Sequence, residues 1–205
     1  MDNKTPHRIG VFIYNDSEVL DFSGPFEVFS TASRLREPHH NPLEILLIAE
    51  SEAPVLARGG FQVVPHFSIE NHPSVDSLII VGGVHSEVMY RSSVLHWLRA
   101  QSSLVENLAS VCTGAFLLAE AGLIDQLSVT THWQDQADLQ QQYPTLKVVA
   151  GKRWIEAETA LRAPRIITSG GISAGIDMSL FLLSKITDID LAVKTARQME
   201  FDWRR

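Results

Sequence analysis

The chain holds one cysteine, Cys112, and its setting is the feature best suited to chemistry. It lies in Val111-Cys112-Thr113-Gly114, with a strand-like apolar run before it and a helical segment after it. A residue in so tight a strand-to-helix turn is held at the tip, its side chain projecting into a cleft. It also stands at a helix N-terminus, where the dipole and free N–H groups favour a thiolate. Gly114 lets the turn close against neighbouring backbone. The same residue could instead be a buried cysteine packing as a small hydrophobe; the turn is what favours the reactive reading. One cysteine cannot form an internal disulfide, which fits a reducing cytoplasm.

Other groups could join the thiol. Asp21, in Val19-Leu20-Asp21-Phe22-Ser23-Gly24-Pro25, is expected after the first strand and just before the first helix. Its carboxylate could face the same cleft, or bond backbone near the helix start. Gly82-Gly83 follows a buried strand, so its N–H groups could hold a developing oxyanion, or the pair could simply turn the chain. His132, in Thr130-Thr131-His132-Trp133, and His85, two residues past Gly83, read first as packing histidines and second as bases reaching the cleft. The histidines show no zinc-type spacing, so no metal site is expected. Gly170-Gly171 with Ser173 and Gly175 has the wrong spacing for a dinucleotide fingerprint and reads as a close-packed strand-to-helix turn.

The elements that would position these residues alternate. Strands are expected at 8–14 (RIGVFIY), Leu43–Ala49, 76–81 (DSLIIV), 108–111 and 166–169, with 61–67 a strand or half of a hairpin. Shorter strands are expected at 128–131, 147–150 and 154–158. Helices are expected at 24–35, 86–101, 114–121, 135–142, 174–186 and 188–201, with Pro25 at the first position of the first and Asp188 capping the last. HHNP at 39–42 reads as a surface loop. This alternation predicts an α/β fold: a mostly parallel sheet covered by helices on both faces, in a single domain over 1–205 with its core at about 8–201. Ligands in such sheets sit at the carboxyl ends of strands. Three strands end there in Gly82-Gly83, Cys112-Thr113-Gly114 and Gly170-Gly171. The helix at 174–186 is apolar nearly all round, which suits the core or a subunit interface. Trp97, Trp133, Trp154 and Trp203 read as core or dimer-contact aromatics.

Composition narrows the partners. The 205 residues can bury a core without a staple. A net charge of -7 opposes nucleic-acid phosphate and anionic membrane. No apolar run is long enough to span a bilayer. The N-terminal MDNKTPHRIG has no apolar stretch of the secretory kind. A cytoplasmic location is therefore expected.

Several segments together carry a resemblance: LDFSGPFEVF at 20–29, the IVGG strand end, VCTGAFLLAEAGL at 111–123, then TTHW and SGGISAGID. Over 8–201 the chain resembles the ThiJ/PfpI superfamily, with its class I glutamine amidotransferase-like (flavodoxin-like) fold. Within it the chain is most similar to the isonitrile hydratase branch and to the amidase-like N-terminal domains of AraC-type regulators. The resemblance implies a nucleophilic or redox-active thiol at Cys112 with Asp21 as its acidic partner. It implies that Thr113 helps handle the substrate and that Gly83 is the oxyanion-side glycine. It also implies a homodimer with no metal or organic cofactor. Two positions depart from the pattern. Thr113 stands where the protease-like branch has histidine, which removes the adjacent Cys-His pair and argues against peptidase activity. Val81 stands where the hydratase branch usually has proline.

Three functions follow as expectations. One is a cysteine-dependent hydro-lyase or hydrolase acting on a small C–N substrate such as an isonitrile or amide-like group. Another is a non-catalytic ligand-sensing regulatory module that binds no nucleic acid directly. The last is a protein answering to Cys112 oxidation.

Overall fold

The computed structural model describes residues 5–37, 40–159 and 164–204. The first four residues of the N-terminal stretch and the His39 end of the HHNP segment lie outside them. Strands and helices alternate: β1 (His7–Phe12), α1 (Val19–Leu35), β2 (Leu43–Ala49), β3 (Val55–Ala57), β4 (Phe61–Val63), β5 (Phe67–Ser68), β6 (Ser77–Ile80), α2 (Ser92–Ser102), β7 (Asn107–Val111), α3 (Gly114–Glu120), β8 (Ser128–Val129), α4 (Gln136–Gln142), β9 (Lys147–Val148), β10 (Trp154–Glu156), β11 (Arg165–Ser169), α5 (Ser173–Ile186) and α6 (Ile189–Gln198). Seven strands form one sheet in the order β10-β11-β7-β6-β1-β2-β5. All its neighbours are parallel except β10, which pairs antiparallel with β11. Two further ribbons, β3-β4 and β8-β9, stand apart from it.

The central strands are buried on both faces, which is why they read as unbroken apolar runs rather than alternating ones. Ile9, Val11, Leu78, Ile79, Ile80 and Leu108 are wholly buried. Each contributes roughly 1.5–3 kcal/mol from burial alone. Helices α1, α5 and α6 pack together, while α2 and α3 contact each other elsewhere on the sheet. Helix α5 is buried along most of its length, the core placement its composition calls for. Asp188 caps α6, accepting the Leu191 N–H. Among the described residues, no helix is long and apolar enough to cross a membrane.

Two expectations change. Helix α1 begins at Val19, not Gly24, so Asp21 sits in its first turn and Pro25 inside it. Proline inside a helix forfeits one backbone bond, here to the Asp21 carbonyl; burial of Phe22, Val28 and Phe29 along the same helix offsets that loss. The helix expected from Ser86 is broken into a 3₁₀ turn at Val88–Tyr90 and α2 beyond it. Of the tryptophans, Trp97 is buried, but Trp133 is 73% exposed beside the His132 ring.

The order places β1 between β2 and β6, so the chain leaves β1 in opposite directions on its two sides. Such a switch opens a crevice beyond the carboxyl ends of the strands. Every residue considered next lies at that end.

Candidate functional site

Cys112 follows β7 with φ 56°, a left-handed conformation that costs a non-glycine residue roughly 1–2 kcal/mol. The surroundings hold it there. Its N–H is shared between the carbonyls of Ser169 and Gly170, at 3.2 Å each. Its carbonyl accepts the Thr131 hydroxyl at 2.7 Å. Gly114 lets α3 start at once, because a Cβ there would stand 2.2 Å from the Ile80 carbonyl oxygen. The elbow geometry expected from the sequence is therefore present, with the thiol 7% exposed.

Asp21 reaches the thiol from the first turn of α1. The carboxylate is wholly buried, with Oδ2 accepting the Gly82 N–H at 3.1 Å and Oδ1 the Ile172 N–H at 2.9 Å. Burial outweighs these two bonds and raises its pKa to about 6. The thiol lies within hydrogen-bonding reach of this carboxylate. Burial first, and the Asp21 charge second, push the thiol well above its usual range, against the pull of the Thr113 N–H. This corrects the expectation of a stabilised thiolate. Helix α3 has seven residues, and its dipole is outweighed by desolvation and a neighbouring anion. At neutral pH the pair rests as thiol and carboxylate, with one proton between them.

Gly82 and Gly83 are also placed differently from expectation. Their N–H groups are not free for an oxyanion. Gly82 spends its own on Asp21, and Gly83 donates to Thr113 Oγ1 at 2.9 Å. The Thr113 hydroxyl returns a bond to the Gly83 carbonyl at 3.0 Å. The two glycines thus hold the residues that flank the thiol. Gly83 must be glycine: its φ is +143°, and a Cβ would meet the Asp16 carbonyl oxygen at 2.2 Å.

The structure brings both histidines to the cleft. His85 stacks on Phe116 with ring centroids 4.4 Å apart, its Nδ1 3.4 Å from the Gly83 carbonyl. Burial lowers its pKa, so it is neutral at pH 7. His132 bonds Asp135 Oδ2 through Nδ1 at 3.0 Å, not backbone, which leaves its other nitrogen unclaimed by that contact. A Cβ on Gly171 would stand 2.6 Å from His132 Cδ2 and 3.0 Å from Cys112 Sγ. The imidazole and the thiol are therefore neighbours across a position kept empty by glycine. Asp135 was not singled out in the sequence; its spacing of three residues from His132 was the available signal.

The cleft above these groups has a volume of about 460 Å³. Cys112, Thr113, Gly83, His85, His132 and Asp135 line it, and Glu18 and Arg58 stand at 3.6 Å from each other on the same wall. A space of this size takes a small molecule. Among the described residues, no group of three or more His, Cys, Asp or Glu side chains could hold a metal ion.

Comparison with known proteins agrees with this architecture. The chain is 28% identical over 195 residues to an isonitrile hydratase of Pseudomonas putida, covering 95% of this chain and 78% of that one. It is 28% identical over 183 residues to the HTH-type transcriptional regulator GbdR of Pseudomonas aeruginosa, covering 89% of this chain. It spans 47% of that regulator's length. A crystal structure of a ThiJ/PfpI family protein from Pseudomonas syringae has the same fold, with a TM-score of 0.82 at 22% identity over 98% of this chain and 78% of that one. The DJ-1/PfpI family model matches residues 7–185, a span that includes every residue of the cleft, and the chain belongs to the DJ-1/PfpI family.

Proposed function

We propose that the chain is a cysteine-dependent enzyme that hydrates a small C–N substrate of the isonitrile type. The observation that carries this reading is the Cys112 thiol on its elbow at the cleft, within hydrogen-bonding reach of the buried Asp21 carboxylate that the Gly82 and Ile172 amides hold. Hydration of R–N≡C needs just such a pair. As sulfur bonds to the terminal carbon, the thiol proton passes to Asp21 and from there to that carbon. The product is a thioimidate, R–N=CH–S–Cys112. Water then adds to the same carbon, losing one proton to His132, which Asp135 orients and which passes that proton to the nitrogen. The C–S bond breaks as the hydroxyl proton returns to the sulfur, and R–NH–CHO leaves. The sum is isonitrile plus water giving an N-substituted formamide, with no redox change and no call on a metal or organic cofactor. Thr113 contributes its N–H, directed at the sulfur, and fixes Gly83. The substrate enters as a small neutral molecule, and the reading carries with it a homodimer without direct nucleic-acid or membrane contact.

Proton NMR of the protein with a panel of alkyl isonitriles tests this. Formamide formation that is lost in Cys112→Ala supports the hydratase; no formamide from any of them sinks it. The similarity to GbdR favours a second reading, a ligand-sensing module without turnover. That reading predicts thermal stabilisation by a ligand with no product formed. A sensor of peroxide is disfavoured, because a thiol held protonated oxidises slowly.

A further inference from the structure

Parallel pairing aligns Phe12 of β1 with Ile80 of β6, and Ile80 with Ser110 of β7. Tyr14, Gly82 and Cys112 each lie two residues past these positions, just beyond the ends of the three strands. Gly82 carries no side chain, and a Cβ there would stand 2.7 Å from Cys112 Cβ and 2.8 Å from Thr113 Oγ1. Glycine at 82 is thus what lets Cys112 and Thr113 pack against this strand end. Tyr14 is buried, and its hydroxyl makes no hydrogen bond of proper geometry among the described residues. Its polar neighbours are Asp21, Cys112 and Thr113. The Thr113 hydroxyl is already committed to both polar atoms of Gly83. An unsatisfied buried hydroxyl destabilises the resting protein, and such groups concentrate where a partner forms later.

We propose that Tyr14 is a positioning residue for the thiol: its hydroxyl donates to the negative charge that develops on the Cys112–Asp21 pair as the thiol proton leaves. The phenol suits this, because burial first, and then the same two neighbours that would carry the charge, raise its own pKa and keep it protonated. Tyr14 does not touch substrate; it makes the anionic sulfur easier to form. The inference rests on Cys112 as the reacting group, not on the substrate assigned above.

The test compares wild type with Tyr14→Phe by the rate of Cys112 alkylation by iodoacetamide against pH, on native protein, with the melting temperature measured alongside. The chain has one cysteine, so the signal has one source. The charged groups facing that sulfur are Asp21 and Asp135, with His132 beside it, and all are unchanged in the variant. The expected result is a melting temperature unchanged or raised, with alkylation slowed about tenfold, the size of one hydrogen bond to a charged group. Unchanged alkylation in a folded variant overturns the proposal, as does a lower melting temperature with faster alkylation, which marks a packing role. Site-specific 3-fluorotyrosine at position 14 covers a failure of Tyr14→Phe to fold. The stronger donor should speed alkylation, and no change would contradict the proposal. Because alkylation needs no isonitrile, absence of turnover with the Tyr14 effect intact removes the hydratase reading and leaves this one standing.

Discussion

The Asp21 carboxylate and the Ile172 amide, 151 residues apart, meet at 2.9 Å. Ile172 has φ 57° and ψ −110°, a conformation few non-glycine residues adopt, and it immediately precedes α5. Its companion, Gly82, binds the other carboxylate oxygen from the end of β6. Two strand-end loops are thus tied to one acidic side chain, and that side chain is the acceptor for the thiol's proton. The same two oxygens serve structure and chemistry.

Asp21 links pH to stability. Its folded pKa of about 6 lies above the ordinary carboxylate value of 3.8, so the folded state binds that proton more tightly than the unfolded chain does. Its contribution is full at low pH and is lost as pH rises through about 6. Asp21→Asn has no such proton. From pH 4 to pH 7 wild type should lose roughly 2–3 kcal/mol relative to that variant. Urea denaturation of both at the two pH values checks this; parallel curves would contradict it. Turnover should rise along the same interval, since only the ionised carboxylate can accept the thiol proton.

Cys112 carries backbone strain that glycine would relieve. Cys112→Gly should be about 1 kcal/mol more stable than Cys112→Ala, a gap of roughly 2–4 °C in melting temperature for a chain of this size. Equal stabilities would mean that the left-handed conformation costs nothing here.

Much of this arrangement was legible in the sequence, and what was missed has physical causes. The strands were readable because the central ones are buried on both faces, leaving runs such as DSLIIV. The elbow was readable because a strand, a cysteine and a glycine-started helix leave few other geometries. Helix α1 was placed too late because Pro25 resembles a first-turn proline. Tyr14 was invisible as a site residue, since an aromatic at a strand end looks like core, and only the fold shows its unpartnered hydroxyl buried near Cys112. The thiol's protonation was misread because helix position is local, whereas the opposing carboxylate arrives from a helix some ninety residues away in the chain.

Gly171 keeps the thiol and the imidazole in reach of one another. Gly171→Ala puts a methyl group 2.6 Å from His132 Cδ2 and 3.0 Å from the sulfur, so the ring must shift. Turnover should fall at least about tenfold, the scale on which misplaced catalytic groups lose rate, while circular dichroism stays native. Full activity would show that the imidazole is not needed at that position.

His132→Gln separates the two half-reactions. Thiol alkylation should persist near the wild-type rate, while steady-state turnover falls by about two orders of magnitude, the lower range for loss of a general base. A parallel fall in alkylation would assign His132 to the thiol itself and not to water.

The central claim is that Cys112 forms a covalent bond to its substrate with the proton moved by Asp21. Intact-mass spectrometry of wild type, mixed with an alkyl isonitrile and quenched in acid within a turnover, tests it most directly. The account predicts a transient species heavier by the mass of one isonitrile, mapped to Cys112, that decays as formamide appears and is slowed in Asp21→Asn. Protein that stays at its original mass, yet is stabilised by the ligand and yields no formamide, would contradict it and make the cleft a sensing site.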